Sequence, residues 1–159
     1  MVSLEKDIEN LIRRVVNNIV NAYRAIEKEL GVSISIDIVE NALREVEHLA
    51  IHELCHAALN SLYPRIEDIY HRDRDIATCI DEILTRFLEI YISKKIGSYV
   101  HSFEEHVYEL KLYTPLRNLA IDSRTLSNLY NMFIEMLKSN SIEEFVDKKL
   151  IDICRSVKQ

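Results

Sequence analysis

His52-Glu53-Leu54-Cys55-His56 reads H-E-x-x-H. Two imidazoles four residues apart on a helix lie about 40° apart around its axis and about 6 Å apart along it, so both reach one metal ion. Glu53 leaves the helix one residue after the first imidazole. From there a carboxylate can hold a water on the metal rather than the metal itself, the place of a general base. The pattern requires a helix to carry it and a third ligand from elsewhere.

A catalytic zinc takes three protein ligands and keeps one position open. Downstream the chain offers Asp81-Glu82, and Glu82 stands 26 residues after His56. Apolar Ile80, Ile83 and Leu84 flank it on what reads as the next helix. A turn at Tyr63-Pro64 lets that helix return alongside the first, so Glu82 is the candidate third ligand. The competing readings are a solvated carboxylate and an i,i+4 partner for Arg86.

Other side chains compete for roles. His48 precedes His52 by one turn on nearly the same face, but a straight helix rarely aims three successive turns at one ion, so a pocket-wall or core histidine is preferred. His71 reads as a loop histidine with a third-ligand alternative, and Cys79 as a small buried hydrophobe with a thiolate-ligand alternative. Cys55 points away from the His52/His56 edge, towards the core. Asp75, Asp81 and Glu89 are candidate acceptors for the second nitrogen of the ligand imidazoles. Tyr63, Tyr70, His101 and His106 are candidate donors to a developing oxyanion. Arg65, Arg72, Arg74 and Arg86 read as surface charge or as determinants of substrate polarity.

The elements that position these groups are helical. Only Gly31, Pro64, Gly97 and Pro115 punctuate the chain, and straight-chain and aliphatic residues dominate. Leu4 to Leu30 carries an apolar stripe at helical spacing, and Gly31 suits its stop. Val32, Ile34, Ile36 and Ile38 alternate as in a strand, but a lone strand has no ladder partner, so an extended segment is expected to lead into a helix over 38–62. The Asp37/Glu40 pair suits that start, and Tyr63-Pro64 ends the helix. A charged connection is expected over 64–75, then a helix over 75–96 ending at Gly97. Ser102 with Glu105 opens a shorter helix to about Tyr113, Thr114-Pro115 opens the next, and a break at Asp122-Ser123 precedes a helix to about Lys138. Ser141 with Glu144 opens the last one. The expected class is all-α, a compact single domain over 1–159 with at most one short strand before the H-E-x-x-H helix.

Composition narrows the function. A chain of 159 residues is long enough to bury one core. Its formal net charge of −6 argues against a nucleic-acid partner. No apolar run reaches the length of a membrane span, and the charged N-terminus lacks a signal-peptide core. Cys55, Cys79 and Cys154 form no paired framework, which suits a reducing cytoplasm. One glutamine, abundant isoleucine and many charges lean towards a thermophile, although asparagine is not depleted.

Over His48 to Glu89, about a quarter of the chain, the sequence resembles the gluzincin metallopeptidases, in which a Glu on a following helix completes H-E-x-x-H. The compact minigluzincins and ImmA/IrrE-type proteins are the nearest in pattern. The resemblance implies Zn2+ held by His52, His56 and Glu82, with Glu53 polarising the water that attacks a peptide or protein substrate. Two departures stand out. Thermolysin-like gluzincins carry an Asp one turn after the ligand Glu, bonded to a ligand His, where this chain has Arg86. They also place a sheet before the active helix, whose edge strand pairs with the peptide. The expected function is a cytoplasmic zinc metallopeptidase. The alternatives are a non-catalytic helical interaction protein with a structural or vestigial zinc site, closed by a fourth ligand such as Cys79 or His48, and a latent hydrolase plugged by its own segment.

Overall fold

The computed structural model describes residues 2–139 and 141–156. Every regular element among them is helical, so the class is all-α. By its contacts the chain divides into two units, Met1–Glu45 and Val46–Gln159, with the boundary inside a helix.

The first unit holds helix α1 (Val2–Leu30) and the opening turns of α2 (Ile36–Leu62). Gly31 ends α1 in the left-handed conformation (φ 64°), and its N–H returns to the Glu27 carbonyl at 3.0 Å. The alternating segment after it forms no strand; Ile36 and Ile38 already belong to α2. Ser35 rather than Asp37 caps the helix. The Ser35 carbonyl accepts from Ile38 N–H at 3.1 Å, and its Oγ accepts from Asp37 N–H at 3.2 Å. Leu4, Leu11, Ile12 and Leu30 of the α1 stripe are exposed.

The second unit continues α2 and adds α3 (Ile66–Arg72), α4 (Arg74–Ile96), α5 (Phe103–Leu112), a 3-10 turn (Thr114–Leu116) and α6 (Ser123–Lys138). It ends with α7 (Ile142–Phe145), a π-helical turn (Val146–Leu150) and α8 (Ile151–Arg155). Helix α4 is its axis. Ala77, Ile80, Ile83, Leu84, Phe87 and Ile90 are buried, and Phe87 packs its ring against Tyr130, Phe133 and Phe145 with centroids 5.8, 5.4 and 6.3 Å away. Another stripe of the same helix, Glu82, Thr85, Arg86, Glu89 and Ser93, is polar and equally buried. Such a stripe is stable only if partners are supplied from outside the helix.

The capping signals hold with some exceptions. Ser102 and Glu105 form the reciprocal capping box, and Asp122 accepts from Thr125 N–H at 2.7 Å. Gly97 closes α4 with φ 71°. The expected connection over 64–75 instead folds into α3, whose Glu67 and Asp68 sit at its positive end and His71 and Arg72 at its negative end. Asp73 then caps α4 through Ile76 N–H at 3.3 Å. Thr114-Pro115 opens a single 3-10 turn rather than a helix, because nothing caps it and the chain turns away after Leu116. Ser141 makes no capping bond, and the last helical stretch is interrupted by the π turn. No helix among the described residues is long and apolar enough to cross a membrane.

The cysteines overturn one expectation. Cys79 of α4 and Cys154 of α8 are disulfide-bonded, leaving only Cys55 free and buried. A count of three concealed a pair that the fold brings together across 75 residues of sequence. Closing so long a loop restricts the unfolded chain and stabilises the fold by about 2–4 kcal/mol. Protein denatured without reductant should therefore titrate one thiol per chain, and three after reduction. Reduction should also lower the melting temperature; three reactive thiols without reductant would contradict the bridge.

Candidate metal centre

Helix α2 turns His48, His52 and His56 towards the polar stripe of α4, and side-chain bonds between the two helices fix the imidazoles. His52 Nδ1 lies 2.9 Å from Glu89 Oε2, and His56 Nδ1 lies 3.1 Å from Asp81 Oδ1. A carboxylate only accepts, so each Nδ1 carries the proton and each Nε2 keeps a lone pair; the tautomer is assigned from this network. Thr85 Oγ1, 3.0 Å from His56 Nδ1 and 3.4 Å from Asp81 Oδ1, donates to the carboxylate and braces the pair. Tyr70 donates to the other Asp81 oxygen at 2.8 Å.

The two Nε2 atoms consequently face each other at 3.2 Å. Glu82 completes a triangle, with Oε2 3.8 Å from His52 Nε2 and Oε1 3.6 Å from His56 Nε2. Glu82 Oε2 is buried without a hydrogen-bond partner. Two lone pairs and a carboxylate repel one another unless a positive centre lies among them. Tetrahedral coordination with bonds of about 2.0–2.1 Å places ligand atoms about 3.3–3.4 Å apart, close to these separations. His52, His56 and Glu82 can thus hold a metal ion.

Electrostatics follow from burial and these pairings. Burial pushes the Glu82 carboxyl above its ordinary range against the pull of His56, Arg86 and His52. Burial also opposes charge on Glu89, but the bonds from His48 and His52 outweigh it and bring its pKa down to about 2. His56 is raised despite its burial, because Asp81, Glu82 and Glu53 favour the charged form. Protons and metal therefore compete for the same lone pairs.

Glu53 is exposed and stands outside the convergent trio. Its charge is felt by His56 and by Tyr113, whose phenol is pushed up to about 12 by burial and by neighbouring Glu82. Tyr113 follows Glu82 by 31 positions with no motif between, so it joins Glu82 only through the fold.

The remaining candidates fall elsewhere. His48 is a neighbour of the site: its Nδ1 is 2.8 Å from Glu89 Oε1, so one carboxylate holds both His48 and His52. Glu89 thereby supplies the acceptor that Arg86 cannot, from two turns beyond Glu82. Arg86 is buried, 3.7 Å from Glu82 Oε2, and donates to Glu109. Cys79 is removed from the ligand candidates by its disulfide. His71 and Asp75 are exposed and join no convergent group. Tyr63 is buried in the core with an unpartnered hydroxyl, and Tyr70 is committed to Asp81. His101 and His106 gather around Glu109 instead of the trio. Arg65 pairs with Asp147 at 3.2 Å, Arg72 bonds the Asp68 carbonyl, and Arg74 is exposed.

The metal-free protein should be most stable near pH 6.5. Burial lowers His106 from 6.5 to about 4, so its contribution fades as pH falls through that interval. Glu89, at about 2 against 4.5 unfolded, adds a further loss between those values. His48, raised from 6.5 to about 9 by Glu109 and Glu89 despite its burial, contributes fully below 6.5 and loses its contribution as pH rises through 9. Melting temperatures of chelator-treated protein across this range test the signs; a melting point that climbs from pH 6.5 to 9 would contradict them.

No protein-family model, curated protein or solved structure matches the chain.

Proposed function

We propose that the protein is a zinc-dependent hydrolase acting on peptide bonds. The observation that carries this reading is the convergence of His52 Nε2, His56 Nε2 and the Glu82 carboxylate, whose buried Oε2 has no hydrogen-bond partner, with Glu53 beside them and outside the ligand set. Two imidazoles and a carboxylate suit zinc, which when bound polarises a carbonyl and lowers the pKa of its water towards about 7.

The protein's own groups have distinct tasks. Glu89 and Asp81 hold the two imidazoles in one tautomer and orientation. Glu53, exposed to solvent, takes a proton from the attacking water and passes it to the leaving amine. Tyr113, pushed up to about 12 by burial and by Glu82, stays protonated at neutral pH and donates to the Glu82 carboxylate, steadying that ligand. With no strand among the described residues, the substrate is held by helices and side chains rather than by an edge strand.

The interaction-protein alternative, in the form that closes a structural zinc site, needs a fourth protein ligand. Cys79 is engaged with Cys154, His48 Nε2 faces Glu109 rather than the trio, and among the described residues the trio contains no fourth member. This favours an open position over a closed structural site. The Cys79–Cys154 disulfide removes the cysteine argument for a reducing cytoplasm.

Glu53→Gln keeps shape but cannot accept a proton. It should retain helicity and zinc while losing cleavage of a mixed peptide library by about 10²-fold or more. Glu82→Ala should lose most of the zinc. Equal cleavage by wild type and Glu53→Gln would rule out this mechanism.

A further inference from the structure

A second group of histidines and carboxylates lies beyond Glu89. His101, in the segment before α5, stacks on His48 with ring centroids 3.6 Å apart. Glu109 of α5 places Oε1 2.9 Å from His101 Nδ1 and 3.7 Å from His48 Nε2. One ligand atom from each of the three residues lies within 4.8 Å of the others, and His101 is only 8% exposed. Glu89 occupies His48 Nδ1, so His48 Nε2 faces the Glu109 carboxylate, and either a proton on that nitrogen or a cation lies between them.

An independent observation points the same way. His106 of α5 is fully buried, and neither of its ring nitrogens has a hydrogen-bond partner. Its Nδ1 lies 3.8 Å from Glu109 Oε2, and its ring centroid lies 6.2 Å from that of His48 and 5.8 Å from that of His101. A buried imidazole with both nitrogens unsatisfied is costly and needs a partner. Charge balance adds a third argument. Asp81, Glu82, Glu89 and Glu109 bring four carboxylates to this region, against the guanidinium of Arg86. A single divalent ion at the first site leaves one negative charge, which a second ion or a proton on His48 balances.

We infer that His48, His101 and Glu109 form a second divalent-cation site, with His106 at hand as a further ligand. Imidazoles with one carboxylate select zinc or a neighbouring late transition ion rather than magnesium or calcium. Its place in the fold is structural: it ties α2, through His48, to the segment before α5 and to α5 itself. The site draws on none of His52, His56 and Glu82, so it stands independently of the hydrolase reading. Its rival is a proton on His48, which adds charge but no ion.

Counting bound metal decides between them. Protein stripped with chelator and reloaded with Zn2+ or Co2+, then weighed by native mass spectrometry, should carry two ions per chain. His101→Ala and the near-isosteric Glu109→Gln should each carry one, with helicity checked by circular dichroism. His52→Ala should also carry one. A wild type holding one ion, lost in His52→Ala and kept in both other variants, overturns the second site and leaves the first standing. Two ions that survive His101→Ala and Glu109→Gln also overturn it, since the second ion then binds elsewhere. One ion that depends on His101 and survives His52→Ala supports the second site and removes the first.

Discussion

A carboxylate buried inside a helical domain cannot remain charged unless it is paired, and Glu89, at 1% exposure, is such a group. Its two oxygens take one Nδ1 each, from His48 and His52. That arrangement holds α2 to α4, fixes the orientation of both imidazoles and turns both Nε2 atoms outward to its two sides. On one side they meet His56 and Glu82; on the other they meet His101 and Glu109. The geometry of both groups depends on this one carboxylate keeping its charge.

Helix α4 carries the consequence along its length. Its apolar residues, centred on Phe87, pack against α6 and α7, and Cys79 fastens it to α8. Its buried polar stripe contributes little to stability by itself, since desolvation offsets most of each pairing. The apolar faces and the disulfide supply the rigidity that lets a strained cluster of like groups persist. A polar stripe in the best-packed helix of a unit is the local inconsistency expected of a functional site.

Much of this was legible in the residues. The H-E-x-x-H spacing, the apolar flanks of Glu82 and the breaks at Gly31, Pro64 and Gly97 place the trio and its two helices, because helical periodicity is a local property. Asp81 and Glu89 were recognisable as acceptors, but not which imidazole each takes; that depends on how α2 lies along α4. The partners that close the network were not legible. Glu109 meets Arg86 and His101 only after α5 folds back, and Tyr113 reaches Glu82 from the end of that helix. The Cys79–Cys154 bridge was not legible because an odd cysteine count argues for free thiols. The segment over 64–75 was read as a loop because its charges mask a one-sided helix anchored by Ile66.

The central claim is that the lone pairs of His52 and His56 converge with Glu82 on one metal ion while Glu53 stays free. Anomalous diffraction at the zinc edge from crystals of the metal-loaded protein tests it most directly. The account predicts an ion bonded to both Nε2 atoms and a Glu82 oxygen at about 2.0–2.2 Å, with His52 Nδ1 still on Glu89 and the Glu53 carboxylate outside bonding distance. An ion held through the Nδ1 atoms, an ion ligated by Glu53, or no ion among these three residues would contradict it.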